Sequence, residues 1–253
     1  MLPLKIARPK WFDGTALCIG SMAPDLAYPL GSFLDRQSHT ALGVVTWGVA
    51  CTFAVCFAIR RFVATTAFAH LPDAGPLRLH SFRVLRQRRP AAWQTLVSAL
   101  VGAGTHVLID GFTHQHRWGA EWAGFDEVAV GLPWRGEVTL ARVFQYTGHT
   151  LGSLVGVLLL LYLARHRLLE RWYGAGAVAS ARAFTLTVRA RVVFWCVVGA
   201  GVPAGLLWAG ITSGVRPFRV IDALAATTAI ACLLPATRPR EPVPSTGAVV
   251  RQR

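Results

Sequence analysis

Residues 40–59 (TALGVVTWGVACTFAVCFAI) contain no charged side chain, and residues 145–164 (QYTGHTLGSLVGVLLLLYLA) contain only a neutral histidine among their ionisable groups apart from Tyr146 and Tyr162. A helix needs about 20 apolar residues to cross the roughly 30 Å hydrocarbon layer of a bilayer, so both stretches are long enough. In hydrocarbon each backbone N–H and C=O must be satisfied internally, and an unbroken apolar run achieves this as an α-helix. Residues 90–112 qualify in the same way, as do 192–215, where Pro203 is expected as a tolerated kink. A shorter candidate, 218–236, carries Asp222 near its start. The expected fold class is all-α: a polytopic membrane helix bundle of about five transmembrane helices. Residues 1–236 are expected to form a single membrane domain, followed by a disordered, polar, Pro-rich cytoplasmic tail over 237–253.

Composition agrees with a membrane setting. The chain is 53% hydrophobic and 15% charged, with a mean hydropathy of +0.44, against about 45–50% and about 25% for soluble domains. Its net charge of +14 comes almost wholly from arginine. A nucleic-acid footprint would scatter or stripe these cations over one face; here they fall in particular connecting loops, as topology signals do, so no nucleic-acid partner is expected. Residues 60–90 hold Arg60, Arg61, Arg78, Arg83, Arg86, Arg88 and Arg89 against Asp73 alone, and 165–191 hold six arginines against Glu170. Both loops are therefore expected in the cytoplasm. Residues 113–144 balance Arg117, Arg135 and Arg142 with Glu121, Asp126, Glu127 and Glu137, so they belong outside. This describes a multi-pass protein of the cell (plasma) membrane, with membrane lipids as its surroundings.

Before the first full span, residues 15–34 are apolar but contain Pro24 and Pro29. Proline removes a backbone donor and disfavours helix in the residue before it, so the reading is a broken or re-entrant segment that delivers Asp25 towards the outer half. The stretch 170–191 is expected as a helix along the cytoplasmic surface, with arginines facing lipid head groups. His70, His80 and His166 are read as surface residues. The five cysteines lie in apolar segments without a Cys-x-x-Cys pair and imply no disulfide framework.

With this topology, Asp25, His39, His106, Asp110, His114 and His149 all approach one side of the membrane. Ionisable groups at such depth are costly and are functional candidates. His106 and Asp110 are four residues apart, which sets their Cβ atoms about 5–6 Å from each other on one helix face. From His106 to His114 a helix rises about 12 Å, so either Asp110 bridges two ions or His114 turns back from the loop. Imidazoles with carboxylates favour zinc, with manganese or iron as alternatives. His39, His106, Asp110, His114 and His149 are the candidate metal ligands, and Asp25 and Asp110 the candidate catalytic carboxylates. Each single histidine also has an ordinary role as a hydrogen-bonded packing residue. His116 reads equally as a further member or as a loop residue.

The motifs SMAPDLAY (21–28), SHTALG (38–43), THVLIDGFTH (105–114) and QYTGHTLGSLVG (145–156) occur in an order and spacing that resembles a group of uncharacterised bacterial integral membrane proteins. Those proteins carry an SxxPD element, a Ser-His pair, His-xxx-Asp-xxx-His and a later histidine. The group is similar to the YdjM-type inner-membrane proteins, often labelled metal-dependent hydrolases. The resemblance spans about residues 1–165 and implies a metal site built from the six residues above. The chain departs from the pattern at its opening, where MLPLKIARPKWFDGTAL lacks the histidine such proteins usually carry.

Three functions follow as alternatives. The first is a metal-dependent hydrolase of a lipid or lipid-linked ester or phosphoester at the outer leaflet. The second is a non-catalytic structural or regulatory membrane protein whose polar groups hold helices together. The third is a transporter or channel, against which no comparable acids continue into the inner leaflet apart from Asp222. The topology predicts that, in a background without native cysteines, Gly124→Cys reacts with an impermeant maleimide in intact cells and Ala74→Cys does not. The reverse labelling would contradict it.

Overall fold

The computed structural model describes residues 2–73, 77–87, 89–133, 136–211 and 216–241. Residues 242–253, most of the expected tail, lie outside the described residues. The fold is an all-α membrane helix bundle. Among the described residues four helices are long and apolar enough to cross a membrane: Ala41–Val63, Ala92–Thr113, Leu140–Arg165 and Val188–Ile211. Each overlaps an expected span, and residues 212–215 at the end of the fourth lie outside the described residues. The fifth does not join them: Arg216–Leu233 is helical, but it holds Arg216, Arg219 and Asp222 and falls outside the set that length and apolarity define. The fourth helix is interrupted at Ala200, upstream of the Pro203 expected to kink it. Proline at 203 has no N–H to give the carbonyl of Gly199, so the ladder opens one turn earlier than the proline itself.

The chain packs as two compact units. One comprises Met1–Phe57 with Pro90–His166. Here the expected broken segment is broken: a helix over Gly14–Gly20 gives way to a turn, then to a 3₁₀ helix over Asp25–Leu30, then, past Gly31 at φ +121°, to a helix over Ser32–Ser38. The buried Asp13 starts this run. Its carboxylate accepts from Thr15 N–H (3.1 Å) and Thr95 Oγ1 (2.9 Å), and its own N–H donates to Ser98 Oγ (2.9 Å). The N-cap thus also fastens the short helix to the 92–113 helix. The two helices touch through glycines. A Cβ on Gly102 would lie 2.7 Å from Ser21 N and 2.8 Å from Leu17 O, and one on Gly20 would lie 2.9 Å from Ala99 O. Such close backbone approach is the role small residues take between membrane helices. A two-stranded antiparallel hairpin, Ala129–Leu132 with Gly136–Thr139, precedes the 140–165 helix, whose N-cap Thr139 accepts from Arg142 N–H.

The other unit comprises Ala58–Arg89 with Arg167–Arg253. Its helical stretch after 167 is not continuous: Leu168–Tyr173 and Ala175–Arg182 are separated by Gly174 at φ +91°. Arg83 is fully buried. It donates to Thr65 O (3.2 Å), Ala181 O (2.6 Å) and Glu241 Oε1 (2.7 Å), and Arg86 grips both oxygens of Glu241. A buried guanidinium is tolerated when each donor finds an acceptor. His70, expected at the surface, is instead buried: it stacks on Phe194 with ring centroids 4.1 Å apart and bonds through Nε2 to Thr237 O at 2.8 Å. Burial drives its pKa below the ordinary imidazole value, against the pull of the Thr237 carbonyl. Residues 237–241, expected as the start of a free tail, are therefore held against this unit. Their anchors lie far away in sequence, beyond the reach of local composition.

The glycine contact predicts a contrast on one helix. Gly102→Ala pushes a Cβ into fixed backbone and should lower thermal stability in detergent by about 1–3 kcal/mol. Gly104→Ala meets nothing within 4 Å and should melt like the parent. Equal melting of the two variants would contradict the packing described.

Candidate metal centre

In the turn at 21–24 the Met22 and Pro24 carbonyls accept from Leu26 and Ala27 N–H. Three side chains also donate to the turn from outside it. His106 Nδ1 donates to Ser21 O (2.8 Å), Trp47 Nε1 to Ala23 O (2.7 Å) and Ser38 Oγ to Pro24 O (3.0 Å). Non-helical backbone in an apolar setting persists when protein groups re-satisfy it in this way. The same three bonds draw the 92–113 and 41–63 helices and the residue before His39 around the start of the 3₁₀ helix, where Asp25 sits.

Four side chains converge as a result. His39 Nε2 lies 3.4 Å from Asp25 Oδ1 and 3.6 Å from Asp110 Oδ2; His106 Nε2 lies 3.4 Å from Asp25 Oδ1 and 3.2 Å from Asp110 Oδ2. One ligand atom from each of Asp25, His39, His106 and Asp110 falls within 4.8 Å of the others, a spacing that could hold a metal ion. The side chains of His39, His106 and Asp110 are 6%, 13% and 18% exposed, whereas that of Asp25 is 62% exposed.

Hydrogen bonding fixes how the two imidazoles present themselves. A carbonyl only accepts, so His106 Nδ1, bonded to Ser21 O, carries hydrogen; so does His39 Nδ1, bonded to Asp35 O at 2.8 Å. In the neutral rings both Nε2 atoms are then lone pairs facing carboxylate oxygens. Backbone carbonyls behind imidazoles are the usual outer partners of metal-binding histidines. Among the described residues His106 Nε2 is buried and makes no hydrogen bond, although Asp110 Oδ2 is 3.2 Å away. Four Lewis bases with an orphaned nitrogen among them fit a divalent cation. Protons can also fill the space: burial opposes a charge on His39, but Asp25 and the Asp35 carbonyl outweigh it and hold its pKa above the ordinary value.

Of the six residues singled out in the sequence, the fold thus gathers four. His114 caps the 92–113 helix in an extended conformation and turns back, with Nδ1 3.6 Å from Asp110 Oδ1. Burial lowers its pKa, opposed by Asp110 and reinforced by Arg117 and His149. His149 is exposed and bonds to Gln145 O of its own helix at 2.7 Å; it is not in the four-residue group. His116 falls instead with Glu121 and Asp126. Sequence reading passed over Ser38, Trp47 and Gln145. The sequence signal beside the first two was the proline-broken segment, whose non-helical backbone leaves carbonyls open to side-chain donors.

Fold and cluster together define an all-α membrane protein with a polar group of two histidines and two aspartates at the ends of its apolar helices. The chain belongs to the family described as Domain of unknown function (DUF4184), which matches residues 1–234. No curated protein and no solved structure matched the chain.

Proposed function

We propose that this protein is a membrane-embedded, metal-dependent hydrolase of a lipid or lipid-linked ester or phosphoester, working at the outer leaflet of the plasma membrane. His39, His106 and Asp110 hold zinc, and Asp25 is the general base. The observation that carries this reading is the division of the four groups by exposure. Three are half-buried, and two of them have their far nitrogen fixed on a backbone carbonyl; the fourth, Asp25, is exposed. Catalytic zinc sites commonly have three protein ligands, two histidines and a carboxylate among them, with one position left for reactants. The resemblance to proteins labelled metal-dependent hydrolases points the same way. The outer-leaflet assignment is supported by the arginine excess in the loops 60–90 and 165–191.

Zinc in such a site supplies a Lewis acid that polarises a phosphoryl or carbonyl oxygen and acidifies water. The chain's own residues do the rest. The Ser21 and Asp35 carbonyls keep the rings of His106 and His39 turned so that Nε2 faces inward. Asp25 takes the proton of the attacking water and returns it to the leaving oxygen, the shuttle expected of a positioned carboxylate. Its neighbourhood at the end of apolar helices suits a substrate whose tail stays in lipid.

The test uses purified full-length protein in proteoliposomes, assayed on lipid phosphoesters and carboxyl esters before and after chelation and reloading with zinc, manganese or iron. Asp25→Asn should keep its metal and lose turnover by about 10²–10⁴-fold, while Asp110→Asn should lose the metal itself. Turnover by Asp25→Asn at the parent's rate, or no hydrolysis with any of the three metals, would contradict the proposal and favour a packing role for the four groups.

A further inference from the structure

The geometry points to His114 as a positioning residue rather than a ligand, held in one tautomer by a chain that starts at Arg142. This rests on the metal site proposed above. Arg142 offers only N–H donors, so the Gln145 atom it faces, 2.9 Å from Nη1, is the amide oxygen. Its second branch, Nη2, donates to Gln115 Oε1 at 2.7 Å, which fixes the guanidinium between the loop and the 140–165 helix. With its oxygen on Arg142, Gln145 has only its NH₂ left for His114 Nε2, 2.7 Å away. His114 Nε2 therefore accepts, and in the neutral ring the hydrogen sits on Nδ1.

That nitrogen is the one beside the cluster. It lies 3.6 Å from Asp110 Oδ1 and 3.3 Å from Thr113 Oγ1, and the Thr113 hydroxyl already donates to Ile109 O at 3.0 Å, so both neighbours can only receive. The two oxygens of Asp110 are thus sorted. Oδ1 faces the N–H of His114, and Oδ2 faces His39 and His106. A lone pair at His114 Nδ1 would repel the carboxylate; the N–H attracts Oδ1 across 3.6 Å, which leaves Oδ2 towards the metal position. Outer partners of this kind typically contribute 10–100-fold, by order of magnitude, to metal affinity. Both alternatives read from the sequence made His114 a ligand; the role inferred for it here is to orient Asp110.

Zinc affinity by chelator competition, on the full chain in detergent, tests this with His114→Ala, His114→Asn, Gln145→Leu and the double variant His114→Ala/Gln145→Leu. Asparagine places an amide N–H near the position of imidazole Nδ1, so it preserves the donor and removes the ring. His114→Ala should keep one zinc per chain but bind it about 10–100-fold more weakly. His114→Asn should return to within a few-fold of the parent. Gln145→Leu should weaken binding in the same direction, and the double variant should be no weaker than His114→Ala, because Gln145 acts only through His114. Loss of stoichiometric zinc in both His114 variants would make it a ligand and overturn the inference alone, as would additive losses in the double variant. A parent chain that takes up no zinc would overturn the metal reading and this inference with it.

Discussion

The contact between the Gly14–Gly20 helix and the Ala92–Thr113 helix is the constraint on which the polar cluster depends. Gly20 and Gly102 allow two backbones to come closer than any side chain would permit. Only at that distance can His106 reach the Ser21 carbonyl and Asp25 reach the two imidazoles. The break at Pro24 then has a double consequence. It turns carbonyls out of the helical ladder, and the side chains that donate to them come from three other segments, so bonding the turn also assembles the site. Asp13 completes the same joint from the other end of the short helix, through Thr95 and Ser98.

Each unit handles charge in an apolar chain differently. Arg83 is fully buried and donates from each nitrogen to an acceptor, two carbonyls and the Glu241 carboxylate. Each of its three nitrogens donates to an acceptor, and its effect is to hold residues 237–241 in place. The cluster of Asp25, His39, His106 and Asp110 is arranged the opposite way. Its outer nitrogens are satisfied, its inner atoms face one another, and among the described residues His106 Nε2 is left without a hydrogen bond. Pairing marks a structural device, and convergence of unsatisfied bases marks a binding one.

Much of this was legible in the sequence because apolar length and arginine placement are local signals. Four helices follow from them directly, and the i, i+4 spacing put His106 and Asp110 on one face. The meeting of Asp25 and His39 with that pair was legible only through topology, as segments whose ends fall on one side. Other features depend on helix phase or on contacts distant in sequence. His149 sits on a face of the 140–165 helix that is open, and no charge pattern encodes that rotation. His70 is buried by residue 237, so a histidine in a cationic loop looked superficial. The shorter helix at 216–233 carries Arg216, Arg219 and Asp222, which set its composition apart from the four long apolar helices. His114 was visible as a polar member of the motif, but its relation to Asp110 needed the amide orientation that Arg142 imposes on Gln145.

The central claim is that two imidazoles and the Asp110 carboxylate are arranged to hold one metal ion, and X-ray absorption at the zinc edge of the purified, zinc-loaded chain tests it most directly. The account predicts one zinc per chain in a shell of nitrogen and oxygen at about 2.0–2.1 Å, with the outer scattering of two imidazoles and no sulfur near about 2.3 Å. Zinc held by cysteine sulfur, or a spectrum with no imidazole scattering, would contradict it.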